Sequence, residues 1–446
     1  MIAAAGCSDG DPPAAGPSWN VVIVLADTLR ADHLGVYGYP RDTSPSIDRF
    51  ARESVLFENT RAQAPCTFPS VNSLLTSRDP IAFQNQIELM IGIPAAIPTI
   101  AEILGARGYR TVAVSASVVV RKTRSSNNFF GGFDRGFETF DERCEQRSAA
   151  CVNERTFALL DQAASDDRPV FLYLHYIDPH DPYQPPTEHT RRFAKPYRGF
   201  RFIANGNPNP IARQLEQPGA SLNLRDRDIE HLVDLYDEEI AYLDGQFAAL
   251  LRGLDERGLS GQTVVVLLSD HGEDFLEHRS VKHCQGVRDT QIRTPLIMRI
   301  PGVEGGEVVR AAAGNVDVVP TLLDYLGIDA SQYGFDGASL RRLIGGARAP
   351  ERSVFSSWQA WRSVVRGGYK LTMHLPSRKA RLYDLVLDPR ETTDLDAKLG
   401  DVASGLRQIL EARLERVEPP SARSGGNAED GRDDAAERLR ALGYLE

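Results

Sequence analysis

The sequence predicts an α/β protein: a mostly parallel sheet flanked by helices, followed by a smaller antiparallel α+β subdomain. Three observations lead there. Continuous apolar, β-branched runs alternate with amphipathic helical segments, as βαβ connection requires. The texture then changes near residue 330 to short alternating strands with Gly-Gly and Pro-Ser turns. Finally, 446 residues exceed what one hydrophobic core usually accommodates.

The apolar runs are Val21 to Leu25 before Ala26-Asp27, Thr111 to Val114, Val170 to Leu174, and Thr263 to Leu268 before Ser269-Asp270. Each has the unbroken hydrophobicity of a strand covered on both faces. Helices are expected at 98–109, closed by Gly108, and at 229–254. Residues 353–387 read as a small antiparallel sheet, with a helix near 402–416 behind it. The expected organisation is a leader and linker over 1–18, a catalytic α/β domain over 19–330, an antiparallel subdomain over 331–418, and a polar linker with a terminal helix over 419–446.

Composition narrows the function. Lys+Arg number 51 against 61 Asp+Glu, a net charge of -10, so most of the surface would repel a nucleic-acid backbone. No stretch reaches the ~18 uninterrupted apolar residues of a membrane helix. Membrane association is expected only through a lipid anchor: Ala4-Ala5-Gly6-Cys7 before a Pro/Gly/Ser-rich spacer resembles the end of a bacterial lipoprotein signal, although its basic and long apolar parts are missing. That reading implies an exported, periplasmic or cell-surface protein; an ordinary N-terminus of a cytoplasmic one is the alternative. Four other cysteines remain, with Cys144 and Cys151 the expected disulfide by proximity and four buried thiols as the alternative.

Asp27 ends one predicted strand and "SDHGE" (269–273) ends another. Ligands of open α/β sheets sit beyond such strand ends. Two carboxylates and an imidazole meeting there suit a divalent cation. In "RAQAPCTFPSVNSLLTSRDP" (61–80), Pro69 and Ser70 open a helix, so Thr67 is expected just ahead of its N-terminus, where free N–H groups and the helix dipole favour an anion. A threonine hydroxyl attacks at neutral pH only with its pKa lowered, which a metal and a helix end would do. Otherwise Thr67 is simply a helix cap.

The ordered blocks "NVVIVLADTLRADHLGVYGY", "TFPSVNSLLTS", "GYRTVAVSA", "GFDRGFETF", "FLYLHYIDPHDPY", "SDHGEDFLEH", "RTPLIMRIPG", "VDVVPTLLDYLGI", "KLTMHL" and "RLYDLVLDPRETTDLD" resemble the sulfatase family of the alkaline phosphatase superfamily, over nearly the whole chain. The resemblance implies an alkaline phosphatase-like sandwich, a covalent intermediate, one divalent metal on Asp27, Asp270, His271 and Thr67, and Thr67 as nucleophile. Sulfatases carry Cys-X-Pro-Ser-X-Arg, whose cysteine becomes formylglycine. Here Thr67 stands two before Pro69, Cys66 stands three before it, and Val71 and Asn72 follow Ser70 without an arginine. Threonine cannot become formylglycine. Sulfatases also have Asp-Asp and Asp-Asn where this chain has Asp27-Thr28 and Asp270-His271. An imidazole in place of an amide oxygen favours Zn²⁺ or Mn²⁺ over Ca²⁺ or Mg²⁺.

The departures resemble phosphonate monoester hydrolases and phosphodiesterases, so the expected substrate is a small anionic phosphate or phosphonate ester. Sulfate-ester hydrolysis without formylglycine, phosphoglycerol-type transfer and non-catalytic binding are the alternatives. His180 and His283 are expected beside the leaving group; Asp178 with those two could instead hold a second metal, a reading disfavoured by ligand spacing. Lys282 is a weak anion-binding candidate. The basic-aromatic stretch 191–201 reads as a solvated loop rather than a grip on substrate.

Overall fold

The computed structural model describes residues 18–82, 93–123, 131–144, 148–186, 191–200, 224–346 and 350–416, with the backbone alone at 203–204 and 207–208. The lipid-anchor reading at Cys7 and the terminal linker and helix lie outside the described residues.

The main sheet contains β1 (Asn20–Ala26), β2 (Val55–Phe57), β3 (Arg110–Ser115), β4 (Thr139–Asp141), β5 (Val170–Tyr176), β6 (Thr263–Ser269), β7 (Leu296–Arg299) and β8 (Glu307–Val309). Their spatial order is β8-β2-β7-β6-β1-β5-β3-β4. Only β7 runs against its neighbours; every other pairing is parallel. The expected α/β class is therefore observed.

Alternation along β1 divides the core. Val21, Ile23 and Leu25 face α2 (Thr67–Thr76), α3 (Ile100–Gly105) and α6 (Val318–Tyr325), meeting Phe68, Leu74, Ile100 and Leu322. Val22, Val24 and Ala26 face α1 (Pro45–Arg52), α4 (Ala149–Gln162) and α5 (Asp226–Glu256), meeting Phe50, Val152, Tyr236 and Phe247. Burial on both faces explains why these strands read as unbroken apolar runs. Helix α3 is shorter than its amphipathic pattern: Thr99 and Glu102 form a capping box at its start, and the chain turns out before Gly108, at φ +84°.

The smaller sheet has four antiparallel strands in sequential order, β9 (Val354–Trp358), β10 (Trp361–Arg366), β11 (Tyr369–His374) and β12 (Ala380–Asp384). Gly367 and Gly368 make the β10–β11 turn with φ of +58° and +79°, which side chains resist. Helix α7 (Gly400–Arg416) covers the sheet by placing Ala403, Leu406 and Leu410 on Val364, Leu371 and Leu382. The seam with the main body is charged. Fully buried Lys370 reaches Asp289 and Glu391 at 2.8 Å each, while Arg61 holds the other Asp289 oxygen at 2.7 Å. Removing one member of such a set would leave a buried charge uncompensated.

Candidate active site

Strand register gathers the first group of side chains. Ala26 pairs with Tyr176 on one side and Ser269 on the other, so Asp27 and Asp270 leave adjacent strands at the same level. Thr28 then turns the chain with φ +58°, and its N–H donates to Asp270 Oδ1 at 3.2 Å. The His271 N–H donates to the same oxygen at 2.9 Å. Gly272 is required by closeness: a Cβ there would strike the carbonyl oxygen of Thr290, whose turn also receives the Gly272 N–H through Gln291 O at 2.7 Å.

Helix α2 supplies the hydroxyl. Thr67 is the first residue of the helix and Cys66 its N-cap, two residues earlier than the start at Pro69 that the sequence suggests. The Ser70 hydroxyl donates to Asp270 O at 2.6 Å, tying the first turn to the end of β6. Thr67 Oγ1 consequently lies 3.1 Å from His271 Nε2. His271 Nδ1 donates to Gly272 O at 3.0 Å, leaving Nε2 with its lone pair facing the hydroxyl.

Asp27 Oδ1 and Asp270 Oδ2 are buried without a hydrogen-bond partner among the described residues. They stand 3.8 Å and 3.4 Å from His271 Nε2. Orphaned carboxylate oxygens are costly in a protein interior unless something positive compensates them. Two such oxygens, one imidazole lone pair and one hydroxyl around a common point fit a divalent cation. Proteins of the sulfatase family generally bind one, and the acidic and histidine groups for it are present here. Burial and the neighbouring Asp27 raise the Asp270 carboxyl above its usual range; burial would do the same to Asp27, but His180, His175 and His271 hold it below. Burial lowers His271.

A second group adjoins the first. The His283 ring lies 4.6 Å from that of His271 and 5.0 Å from that of His180. Burial alone would lower His283, yet Glu273, bonded to its Nδ1 at 3.0 Å, and Asp181 lift it to about 9. Tyr183 donates to the other Glu273 oxygen at 2.9 Å. Lys282 pairs with Asp181 at 3.3 Å, and His180 Nδ1 lies 2.6 Å from Asp181 O.

Asp178 is not in this group. Its carboxylate accepts the Ala149 N–H at 2.7 Å at the start of α4, so the carboxylate grouped with His180 and His283 is Asp181. The stretch 191–200 is a loop with Arg191, Arg192, Lys195, Pro196 and Arg198 exposed, as expected, and it rests on α5, where Glu238 accepts the N–H groups of Phe193 and Ala194 and the Tyr197 ring packs 4.2 Å from that of His231. The expected local disulfide is present, and a second, long-range one accompanies it. Cys144 and Cys151 form a disulfide, and Cys66 pairs with Cys284 across 218 residues of sequence. The second bond joins the N-cap of the Thr67 helix to the residue after His283. Sequence reasoning also passed over His175, Glu273 and Tyr183. The only local signal for His175 was an imidazole inside an otherwise apolar strand.

Carboxylates, imidazoles and a helix-start hydroxyl thus converge at the strand ends of a doubly covered α/β sheet. The family described as Sulfatase matches residues 19–328, and the chain belongs to that family. It is 26% identical to an ulvan-active sulfatase of Formosa agariphila over 73% of this chain and 65% of that protein's length. Human arylsulfatase A is 23% identical over 92% of this chain and 88% of its own. Among solved structures, a 2-O GAG sulfatase superposes with TM-score 0.70 at 19% identity, covering 94% of both chains. The phosphonate monoester hydrolase of Agrobacterium radiobacter does so with TM-score 0.70 at 19% identity, covering 90% of this chain and 96% of its own. These likenesses show the alkaline phosphatase-like fold.

Proposed function

We propose that this protein hydrolyses small anionic phosphate or phosphonate esters, phosphodiesters and phosphonate monoesters foremost, through a covalent intermediate on Thr67. The carrying observation is the 3.1 Å approach of Thr67 Oγ1 to the His271 lone pair, while Cys66, the one thiol nearby that could compete, is consumed in a disulfide. Asp27, Thr67, Asp270 and His271 would hold a single divalent cation, Zn²⁺ or Mn²⁺ by their mixed oxygen and nitrogen donors. When bound, it supplies positive charge that lowers the pKa of the hydroxyl and steadies anionic oxygens. The second group supports one cation rather than two, because Lys282 already pairs with Asp181 and Glu273 already pairs with His283.

The chemistry then runs on the chain's own groups. Thr67 Oγ1 passes its proton to solvent water and forms a bond to phosphorus as the bond from phosphorus to the leaving oxygen breaks. The departing alkoxide takes a proton from the His283 imidazolium, with His180 alongside to balance charge. In the second displacement a water gives one proton to His283 and bonds through its oxygen to phosphorus as the bond from phosphorus to Thr67 Oγ1 breaks; Oγ1 regains its proton from solvent, and the phosphorus leaves as product.

Mass spectrometry of protein quenched during turnover is expected to show a phosphoryl group on Thr67; its absence under burst conditions, or its appearance elsewhere, overturns the reading. A second reading, sulfate-ester hydrolysis without formylglycine, is favoured by the relatives named sulfatases. Turnover of nitrophenyl sulfate exceeding that of nitrophenyl phosphodiesters and phenylphosphonate esters would select it, and alcohol-capped products would select transfer instead. The two disulfides support export to an oxidising compartment. That setting agrees with Cys7 as a lipid anchor, which palmitate labelling of the full chain would test.

A further inference from the structure

His175 is the buried polar side chain of the site that the proposed reaction does not use. It lies on β5 directly across from Leu25, and Asp27 stands two residues beyond Leu25, so register puts both side chains on one face of the sheet. Tyr173, two residues before His175, shares that face. The three are linked: Tyr173 Oη lies 3.0 Å from His175 Nδ1, and His175 Nε2 lies 3.2 Å from Asp27 Oδ2. All three are buried, at 0% exposure for Tyr173 and His175 and 1% for Asp27.

We infer that Tyr173 and His175 form a positioning pair that commits Asp27 to binding the cation through Oδ1 alone, and thereby sets which cation the site prefers. The inference rests on the proposed cation site. A phenol donates its proton, so Tyr173 bonded to Nδ1 fixes the imidazole as the tautomer with hydrogen on Nε2. That N–H then donates to Asp27 Oδ2. The consequence is visible in the asymmetry of the carboxylate: Oδ2 is occupied and Oδ1 is the orphan. Asp270 shows the same division by other means, with Oδ1 taken by two backbone N–H groups and Oδ2 left orphaned. Each carboxylate thus presents one oxygen.

Single-oxygen coordination suits a small cation with few ligands, whereas Ca²⁺ takes six to eight oxygens and accepts bidentate carboxylates. Although His175 Nε2 comes within 4.8 Å of the Asp27 and Asp270 ligand oxygens, its bond to Asp27 Oδ2 makes it a partner of a ligand rather than a ligand. Groups in that position on other metal sites change affinity ~10–100-fold when removed.

The test measures binding of Zn²⁺ and of Ca²⁺ to the full-length protein by chelator competition, without reference to turnover. His175→Ala is expected to weaken Zn²⁺ binding ~10–100-fold while weakening Ca²⁺ less, because the freed Oδ2 becomes a second donor. His175→Gln, whose amide N–H can replace the lost donor, should recover most of the Zn²⁺ affinity. Tyr173→Phe removes one oxygen and should produce a smaller loss in the same direction. Metal-free melting temperatures of the variants control for folding. Unchanged Zn²⁺ affinity in His175→Ala, equal losses for the two cations, or no recovery in His175→Gln would each overturn the inference; the last would make His175 a direct ligand. Phosphothreonine at Thr67 is read separately, so failure of the positioning pair and failure of the proposed reaction leave different signatures.

Discussion

The two halves of the site solve opposite electrostatic problems. On the sheet side, Asp27 and Asp270 keep two buried oxygens without a donor among the described residues, an arrangement that suits a cation. On the loop side, His283 has Glu273, Glu273 has Tyr183, and Asp181 has Lys282, so charge is balanced within the protein. Preorganised charge on the first side and an exchangeable proton on the second are the two requirements of ester cleavage through a covalent intermediate. The contrast teaches that a cation should matter to the stability and chemistry of one half and to neither in the other.

Replacing the hydroxyl breaks the sheet side most severely. Thr67→Ala should lower kcat/KM by about 10⁴-fold or more, the scale of losing a covalent nucleophile. Cys66→Ser sharpens the point, since it keeps the hydroxyl but releases the helix start from the 284 loop. Its loss should stay near ~10-fold through slackened positioning. Comparable losses in the two variants, measured as kcat/KM on one phosphodiester, would transfer the chemistry from Thr67 to Cys66.

The loop side is broken by His283→Gln, which keeps a hydrogen-bonding side chain and removes the transferable proton. An alkyl phosphodiester should lose about 10²–10³-fold in kcat, within the range of general-acid catalysis. A nitrophenyl ester, whose leaving group departs unprotonated, should lose far less. Equal losses with both leaving groups would show that His283 does not act as the acid. Cation removal probes the contrast from the other direction. Metal at 100 times its Kd stabilises by about 2.7 kcal/mol, so chelation should lower the melting temperature by a few degrees. Asp181→Asn, on the loop side, should leave that difference intact; if it abolishes the difference, the cation sits on the wrong half.

How much of this was readable in the chain depended on the range of the interaction. Strands covered on both faces announce themselves by composition, so β1 and β6 and the carboxylates at their ends were placed from the sequence alone. The Cys144–Cys151 bond is local and was expected; Cys66–Cys284 spans 218 residues and was not. His175 reads as one more strand residue until register sets it level with Leu25, and no local pattern encodes register between strands 150 residues apart. The place of Asp178, which enters only the disfavoured two-metal alternative, is hidden for a related reason. In "IDPHDPY" two aspartates flank one histidine, and only the turn geometry assigns Asp178 to cap α4 and Asp181 to the histidines.

The smallest effect concerns how the loop side is held in place. Glu239 of α5 accepts the Gln184 N–H at 2.6 Å beneath the loop that carries His180 and Asp181. Burial, reinforced by Asp178 and Glu238, pushes its carboxyl from 4.5 up to about 9, and burial pushes Asp178 to about 6. A carboxyl raised in the folded state contributes its full stability below the unfolded value and loses it as pH climbs toward the folded one. Native stability should therefore decline between pH 4.5 and 9 on account of Glu239. Glu239→Gln keeps the shape and cannot ionise, so its melting temperature should match the native protein near pH 4 and exceed it progressively above pH 6. The difference at neutral pH should be on the order of 1 kcal/mol, because the Gln184 N–H bonds to the ionised form and softens the cost of ionisation. A constant offset across the whole range would mean that Glu239 is ionised in the fold, and that the loop side is anchored by a charge rather than by a neutral acid.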